Sequence, residues 1–219
     1  MNTQTILIVL LLAAPLAAVI AFAIGGVLQV RRRDRLARAA HEAGLLFSAD
    51  DPFDVARRYA AFVIIGAGHG GRATNVTYGR LDGLPVRAFD FRYEIGHGTR
   101  RSTRNFAVVV VESPDSLPPF LLWRAQDADL APLSARGPAD RLDAWDCRGP
   151  GAARAVARLS AGLTRATGIQ ALSAAELGQP GQPGTVLLAC APVRRQALYV
   201  IRMEDVTSLA AALAGDHTA

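Results

Sequence analysis

The stretch "NVTYGRLDGLPVRAFDFRYEI", residues 75–95, decides the fold. Two runs rich in β-branched and aromatic residues flank Asp82-Gly83, a dipeptide suited to the two-residue turn of a β-hairpin. With the turn there, Leu81 faces Leu84, Val76 faces Phe89 and Asn75 faces Asp90. The second run alternates. Phe89, Phe91, Tyr93 and Ile95 fall on one face, and Asp90, Arg92 and Glu94 on the other, the pattern of a half-buried antiparallel strand. A third run, residues 106–111, is apolar on both faces and belongs in the centre of a sheet. The glycine-rich residues 96–101, "GHGTRR", connect the two.

Upstream of the hairpin, the apolar residues 62–65 lead into Gly66, Gly68 and Gly71, a literal G-x-G-x-x-G. In a dinucleotide site the third glycine opens a helix whose N-terminus faces the pyrophosphate. Here Gly71 runs into "RATNVTYG", which reads as a strand, and then into the hairpin. No crossover returns a parallel strand. The acid that would bind a ribose, about 20 residues on, falls near Asp90, inside the hairpin. The expectation is therefore a glycine turn before a strand at residues 72–81, with no nucleotide and no cofactor.

Downstream, residues 120–125 ("FLLWRA") read as a fourth strand and "LDAWDC" as a further one. "GAARAVARLSAGLTRATG" is an amphipathic helix, with Ala152, Val156, Leu159 and Leu163 in one stripe and Gly168 at its end. "IQALSA" and "TVLLACAP" are strand candidates around the loop "GQPGQPG". "DVTSLAAALAG" closes the chain as a helix with Val206, Leu209 and Leu213 aligned, while "LYVIR" is ambiguous. The expected fold class is α+β: an N-terminal transmembrane helix, then a domain with an antiparallel β-meander and packed helices.

The N-terminal residues 6–30 carry no charge, and only Gln29 is strongly polar. A helix of ~20 such residues crosses a hydrocarbon core of about 30 Å. Pro15 is tolerated in a membrane helix. The run is longer than the apolar region of a signal peptide and lacks a basic start. Immediately after it come Arg31, Arg32, Arg33, Arg35 and Arg38, a membrane-flanking basic cluster. Arginines on this side place the N-terminus outside and the rest of the chain in the cytoplasm. The segments read as an anchor (1–30), a basic juxtamembrane and helical linker (31–60) and a soluble domain (61–215). In the linker, Leu36, Ala40 and Ala43 share a helix face that Gly44 ends. Asp51 is a candidate N-cap for a second helix, with Pro52 at its first position, Asp54 in its first turn and Phe53, Ala56 and Ala60 on one side.

The chain's net charge of +5 is almost all in this cluster, where residues 31–38 carry five Arg and one Asp. Outside it the charges balance, so no basic face for nucleic acid is marked out. All 24 basic residues are arginine, which reads as codon bias rather than chemistry. Cys147 and Cys190 have no metal-ligand spacing and read as free thiols in a reducing cytoplasm, or as a pair if the domain were exported. His69 and His97 sit in G-H-G loops and read as solvent-exposed, not as metal ligands. No G-x-S-x-G elbow is present. Two of Asp90, Glu94 and Glu112 could form an acid pair, against the ordinary expectation of polar residues on the open face of a sheet. Arg100, Arg101 and Arg104 read as a solvated loop, with anionic headgroups as the alternative if that loop faces the membrane.

Gly66, Gly68, Asn75, Gly79, Gly83-x-Pro85-Val86, Phe89-Asp90-x-x-Tyr93, Gly96-x-Gly98 and Leu117-Pro118 follow in an order that resembles a family of uncharacterised single-pass bacterial membrane proteins. These carry a G-x-x-V-x-x-F-D-x-x-Y hairpin after an N-terminal anchor. The resemblance covers most of the chain and implies anchoring and architecture, but no activity. The functional expectation is a membrane-anchored cytoplasmic interaction or scaffold domain without catalytic residues. Its partners would be the lipid bilayer and a protein at the membrane. The alternative is a membrane-tethered hydrolase with a carboxylate or histidine site on the sheet.

Overall fold

The structure is a computed structural model describing residues 3–113, 116–126, 132, 139–165, 168–176, 184–193 and 203–214. It is an α+β fold. A 40-residue helix, α1 (Thr3–Glu42), leads into a nine-stranded antiparallel sheet. The strands are β1 (Leu46–Ser48), β2 (His69–Leu81), β3 (Leu84–Ile95), β4 (Ser102–Ser113), β5 (Phe120–Arg124), β6 (Asp140–Leu142), β7 (Trp145–Arg148), β8 (Ala171–Glu176) and β9 (Thr185–Pro192). Their spatial order is β1-β2-β3-β4-β9-β8-β5-β7-β6. The further α-helices among the described residues are α2 (Val55–Arg58), α3 (Ala152–Arg165) and α4 (Met203–Ala214).

β2, β3 and β4 form the expected meander. β5 then leaves it and pairs with β7 and β8, and β9 fills the place beside β4. Alternation along β4 explains the two cores. Val109 and Val111 face α3, α4 and the end of α1, packing with Leu159, Leu163, Leu209, Ala40 and Leu45. Val108 and Val110 face the other way, against Phe89, Phe91 and Tyr93 of β3 and the Val55, Tyr59, Phe62, Ile64 and Ile65 side chains. Both faces of the sheet are thus covered, which is why residues 106–111 are uniformly apolar.

The hairpin turn lies at Asp82-Gly83, with Leu81 opposite Leu84 as expected. Further from the turn the register differs from the sequence reading. Thr77 pairs with Ala88 but Thr74 pairs with Asp90, so a β-bulge takes up one residue. Asn75 sits in it at φ 54°, and its backbone N–H donates to the Ala49 carbonyl at 3.0 Å. The strand also starts at His69 rather than at 72.

The α1 terminus follows its sequence signal. The Leu45 N–H donates to the Ala40 carbonyl and the Gly44 N–H to the His41 carbonyl, with Gly44 at φ 70°: a Schellman cap. Ala43, expected on the buried stripe, is exposed. The second helix is shorter than expected. It is one turn, and Asp54 with φ 50° stands at its N-cap position instead of Asp51. The Asp51 carboxylate accepts from the Phe53 and Val55 N–H groups at 3.0 and 2.7 Å, so it closes a local turn in front of the helix. Ala60, expected on the packed side, is exposed, while Val55 and Tyr59 are buried. Residues 31–60, read from the sequence as a linker, contribute Leu36, Ala40, Leu45, Val55 and Tyr59 to the buried interior. "LDAWDC" is bent by a turn at Asp143-Ala144 into β6 and β7. Most of "GQPGQPG" and all of "LYVIR" lie outside the described residues.

Cys147 and Cys190 are both free and buried. They pack in different cores and stand three strands apart, β7 to β9, about 14 Å at ordinary strand spacing. A disulfide needs Cα atoms within about 7 Å, so the two do not pair in the folded domain on either side of a membrane. Burial raises both thiols, Cys190 to about 12. The expected result is that neither reacts with maleimide in the native protein and both do after denaturation, checked by mass shift.

Candidate functional site

The carboxylates that were candidates for acid–base work are placed apart by the pleat of the sheet. Asp90 and Glu94 project on one face of β3, four residues or about 13 Å apart. Glu112 of β4 projects on the opposite face, beside α2. Each is held by arginine. Arg32 of α1 donates to Asp90 Oδ1 at 2.8 Å and to Oδ2 at 3.3 Å, and Asn75 Nδ2 adds a bond to Oδ2 at 2.8 Å. Arg92 reaches Glu94 at 3.2 Å, and Arg101 pairs with the same carboxylate.

Glu112 is the most heavily engaged. Its Oε1 accepts from Arg58 Nη2 at 3.0 Å, from the Tyr59 hydroxyl at 3.1 Å and from Arg87 Nη1. Arg87 also donates to the Tyr59 hydroxyl at 2.8 Å, and its guanidinium lies 4.8 Å from the centre of the Phe53 ring. Burial pushes the Glu112 carboxyl up, but Arg87 and Arg58 outweigh it and hold the group below its ordinary value near 4.5. Burial raises the Tyr59 phenol. This cluster ties α2 to the centre of the sheet. Sequence reasoning missed it because Arg58, Tyr59 and Arg87 lie 25 to 54 residues from Glu112. The only trace was an arginine, Arg87, on the apolar face of an alternating strand.

His69 and His97 are exposed, as their glycine loops implied. The fold also brings them together. Their rings stack at 5.1 Å between centroids, His69 Nε2 is 2.9 Å from the Gly96 carbonyl oxygen, and Nδ1 is 3.9 Å from Glu94. Among the described residues no three His, Cys, Asp or Glu side chains converge to hold a metal ion.

The G-x-G-x-x-G stretch is a turn that enters a strand. Gly68 has φ 94°, and a Cβ there would stand 2.4 Å from the Glu94 carbonyl oxygen. Gly71 lies within β2 against Phe91, not at a helix N-terminus. Its backbone N–H groups therefore do not form the anion cradle of a dinucleotide site.

Of the basic cluster, Arg31, Arg33, Arg35 and Arg38 are exposed. Arg32 is half-buried in its bond to Asp90. The segment Ala13–Glu42 of α1 is long and apolar enough to cross a membrane, and the apolar window within it is not covered by the domain.

No family model matches the sequence, and no curated protein matches it. The fold is similar to a solved structure, the crystal structure of the mycobacterial trehalose monomycolate transport factor A, TtfA. The TM-score is 0.53 over 84% of this chain and 93% of that one, at 12% sequence identity. At that identity the likeness concerns the fold.

Proposed function

We propose that this is a single-pass membrane-anchored protein, N-terminus outside, whose cytoplasmic α+β domain is a non-catalytic interaction or scaffold module. The observation that carries the reading is α1. One uninterrupted helix begins as an apolar span and ends inside the domain core at Leu36, Ala40 and the Gly44 cap. The arginines that follow the span favour the cytoplasmic side for the domain. The carboxylates support the non-catalytic half. A general acid–base pair needs two groups converging on one reacting atom, whereas Asp90, Glu94 and Glu112 are separated and each is bound by arginine. Among the described residues, the hydrolase alternative has the exposed His69–His97 pair beside Glu94 to draw on. The resemblance to anchored bacterial hairpin proteins agrees with the reading. The likeness in fold to a transport factor directs the search for a partner toward membrane transport assemblies.

The test is affinity isolation of the full chain from its native membrane in mild detergent, alongside broad electrophile profiling. The expected result is a stoichiometric membrane-protein partner and no selectively labelled side chain. A hyper-reactive His69, His97 or Glu94 with no co-purifying protein would favour the hydrolase.

A further inference from the structure

We propose that the end of the sheet carrying residues 96–101 is seated in the headgroup layer of the membrane, where its arginines pair with anionic phospholipids. This rests on the reading that α1 spans the bilayer.

The direction of α1 against the sheet supplies the first argument. At its C-terminal end, Leu45 meets Gly79, and Ala40 packs in the same core as Val86 and Ala88. Thirteen residues earlier than Leu45, Arg32 meets Asp90. The helix from Ala40 back to Arg32 covers about 12 Å, and β3 from Val86 to Asp90 covers about 13 Å. Helix and strand therefore run alongside each other in opposite directions. Moving along α1 toward the membrane is moving along β3 toward Ile95. The 96–101 loop, the start of β2 and the start of β4 form the membrane-proximal end of the domain. The Asp82-Gly83 turn is at the far end.

Length supplies the second. Arg32 stands two residues beyond the apolar run, so Asp90 is already near the membrane boundary, and β3 continues for five residues past it. The apolar run of 25 residues is about 37 Å of helix, roughly 7 Å more than the hydrocarbon core needs. That surplus lies in the headgroup layer, and β3, about 16 Å long from Asp90 to Ile95, reaches at least that far.

Charge supplies the third. Residues 68–73 and 91–105 carry Arg72, Arg92, Arg100, Arg101 and Arg104 against one acid, Glu94, which is buried and held by Arg92 and Arg101. Asp50 approaches Arg72 only at 3.9 Å, both side chains being exposed. On the helix beside them, Arg31, Arg33 and Arg35 are exposed as well. Such a cluster at an anionic surface gains about 1 kcal/mol per arginine.

The experiment places the full chain in nanodiscs of phosphatidylcholine alone or of equal parts phosphatidylcholine and phosphatidylglycerol, and follows amide hydrogen exchange. The expected result is exchange over residues 96–104 slowed about tenfold or more in the anionic discs. The 81–84 turn is unchanged, and high salt reverses the effect. Arg72→Glu with Arg100→Glu, both exposed and neither bound to Glu94, abolishes the protection; Arg80→Glu at the far end does not. Equal exchange in the two lipids, or protection that survives both salt and the double reversal, overturns the seating while leaving the anchor intact. Release of the wild-type chain from its membrane by alkaline carbonate overturns the anchor, and the seating with it.

Discussion

Gly68→Ala destabilises the domain by about 3 kcal/mol, the largest single effect expected from the glycine-rich stretch. Two causes add. An alanine at φ 94° is in a region that costs an L-residue about 1–2 kcal/mol. Its Cβ also stands 2.4 Å from a backbone oxygen of β3 and 2.9 Å from Tyr93, so backbone must move, which costs a further ~1–3 kcal/mol. In a domain of this size the midpoint of thermal unfolding falls by about 6–12 °C, measurable by circular dichroism. The neighbouring glycines rank by their backbone surroundings. Gly71→Ala meets only the edge of the Phe91 ring at 3.1 Å and has no positive φ, so it costs about 1 kcal/mol or less. In a dinucleotide site the three glycines would share a ligand-binding phenotype. The expectation here is that stability separates them.

Glu112→Gln costs about 2–3 kcal/mol, read from urea unfolding. The substitution leaves Arg58 and Arg87 beside Tyr59 without their counter-charge, on side chains only 30% and 14% exposed. Losing one partner of a buried pair costs about 3–5 kcal/mol, and partial exposure of Glu112 reduces that. The pH dependence has a definite sign. The carboxyl is held below its ordinary value near 4.5 in the folded state. Its stabilising contribution is therefore complete above that value and is lost as pH falls through the lower folded one. The gap in stability between wild type and Glu112→Gln is widest at neutral pH and narrows below about pH 4.5. A gap constant from pH 7 to pH 3 would assign the loss to packing instead of charge.

The hairpin was readable because its information is local. Asp82-Gly83 set the turn, and alternation from Phe89 to Ile95 set the faces. The register failed at Asn75, where periodicity carries no mark of a bulge. The contact that places it, its N–H on the Ala49 carbonyl, comes from the residue just after β1. The spatial order of the strands was not legible for a related reason. β5 followed β4 in sequence, but β9, from 65 residues further on than Phe120, took the place beside β4. Among the charged residues, the sequence located Asp90, Glu94 and Glu112 on a sheet. It did not reveal that Asp90 and Glu112 would be claimed by arginines distant in sequence, because ion pairs across elements leave no spacing. Arg32 is the sharpest case. In sequence it is one of five flanking arginines; in the fold it is the bolt between the apolar helix and the sheet. Asp90→Ala removes that bolt and the Asn75 bond together.

The central claim, an anchored protein with its domain in the cytoplasm, is tested most directly at the exposed far turn. Because Cys147 and Cys190 are buried, an Asp82→Cys variant carries one accessible thiol. The account predicts that a membrane-impermeant maleimide fails to label it in intact cells and labels it fully in inverted membrane vesicles. Labelling in intact cells, with the protein still resisting carbonate extraction, would contradict the orientation and place the domain outside.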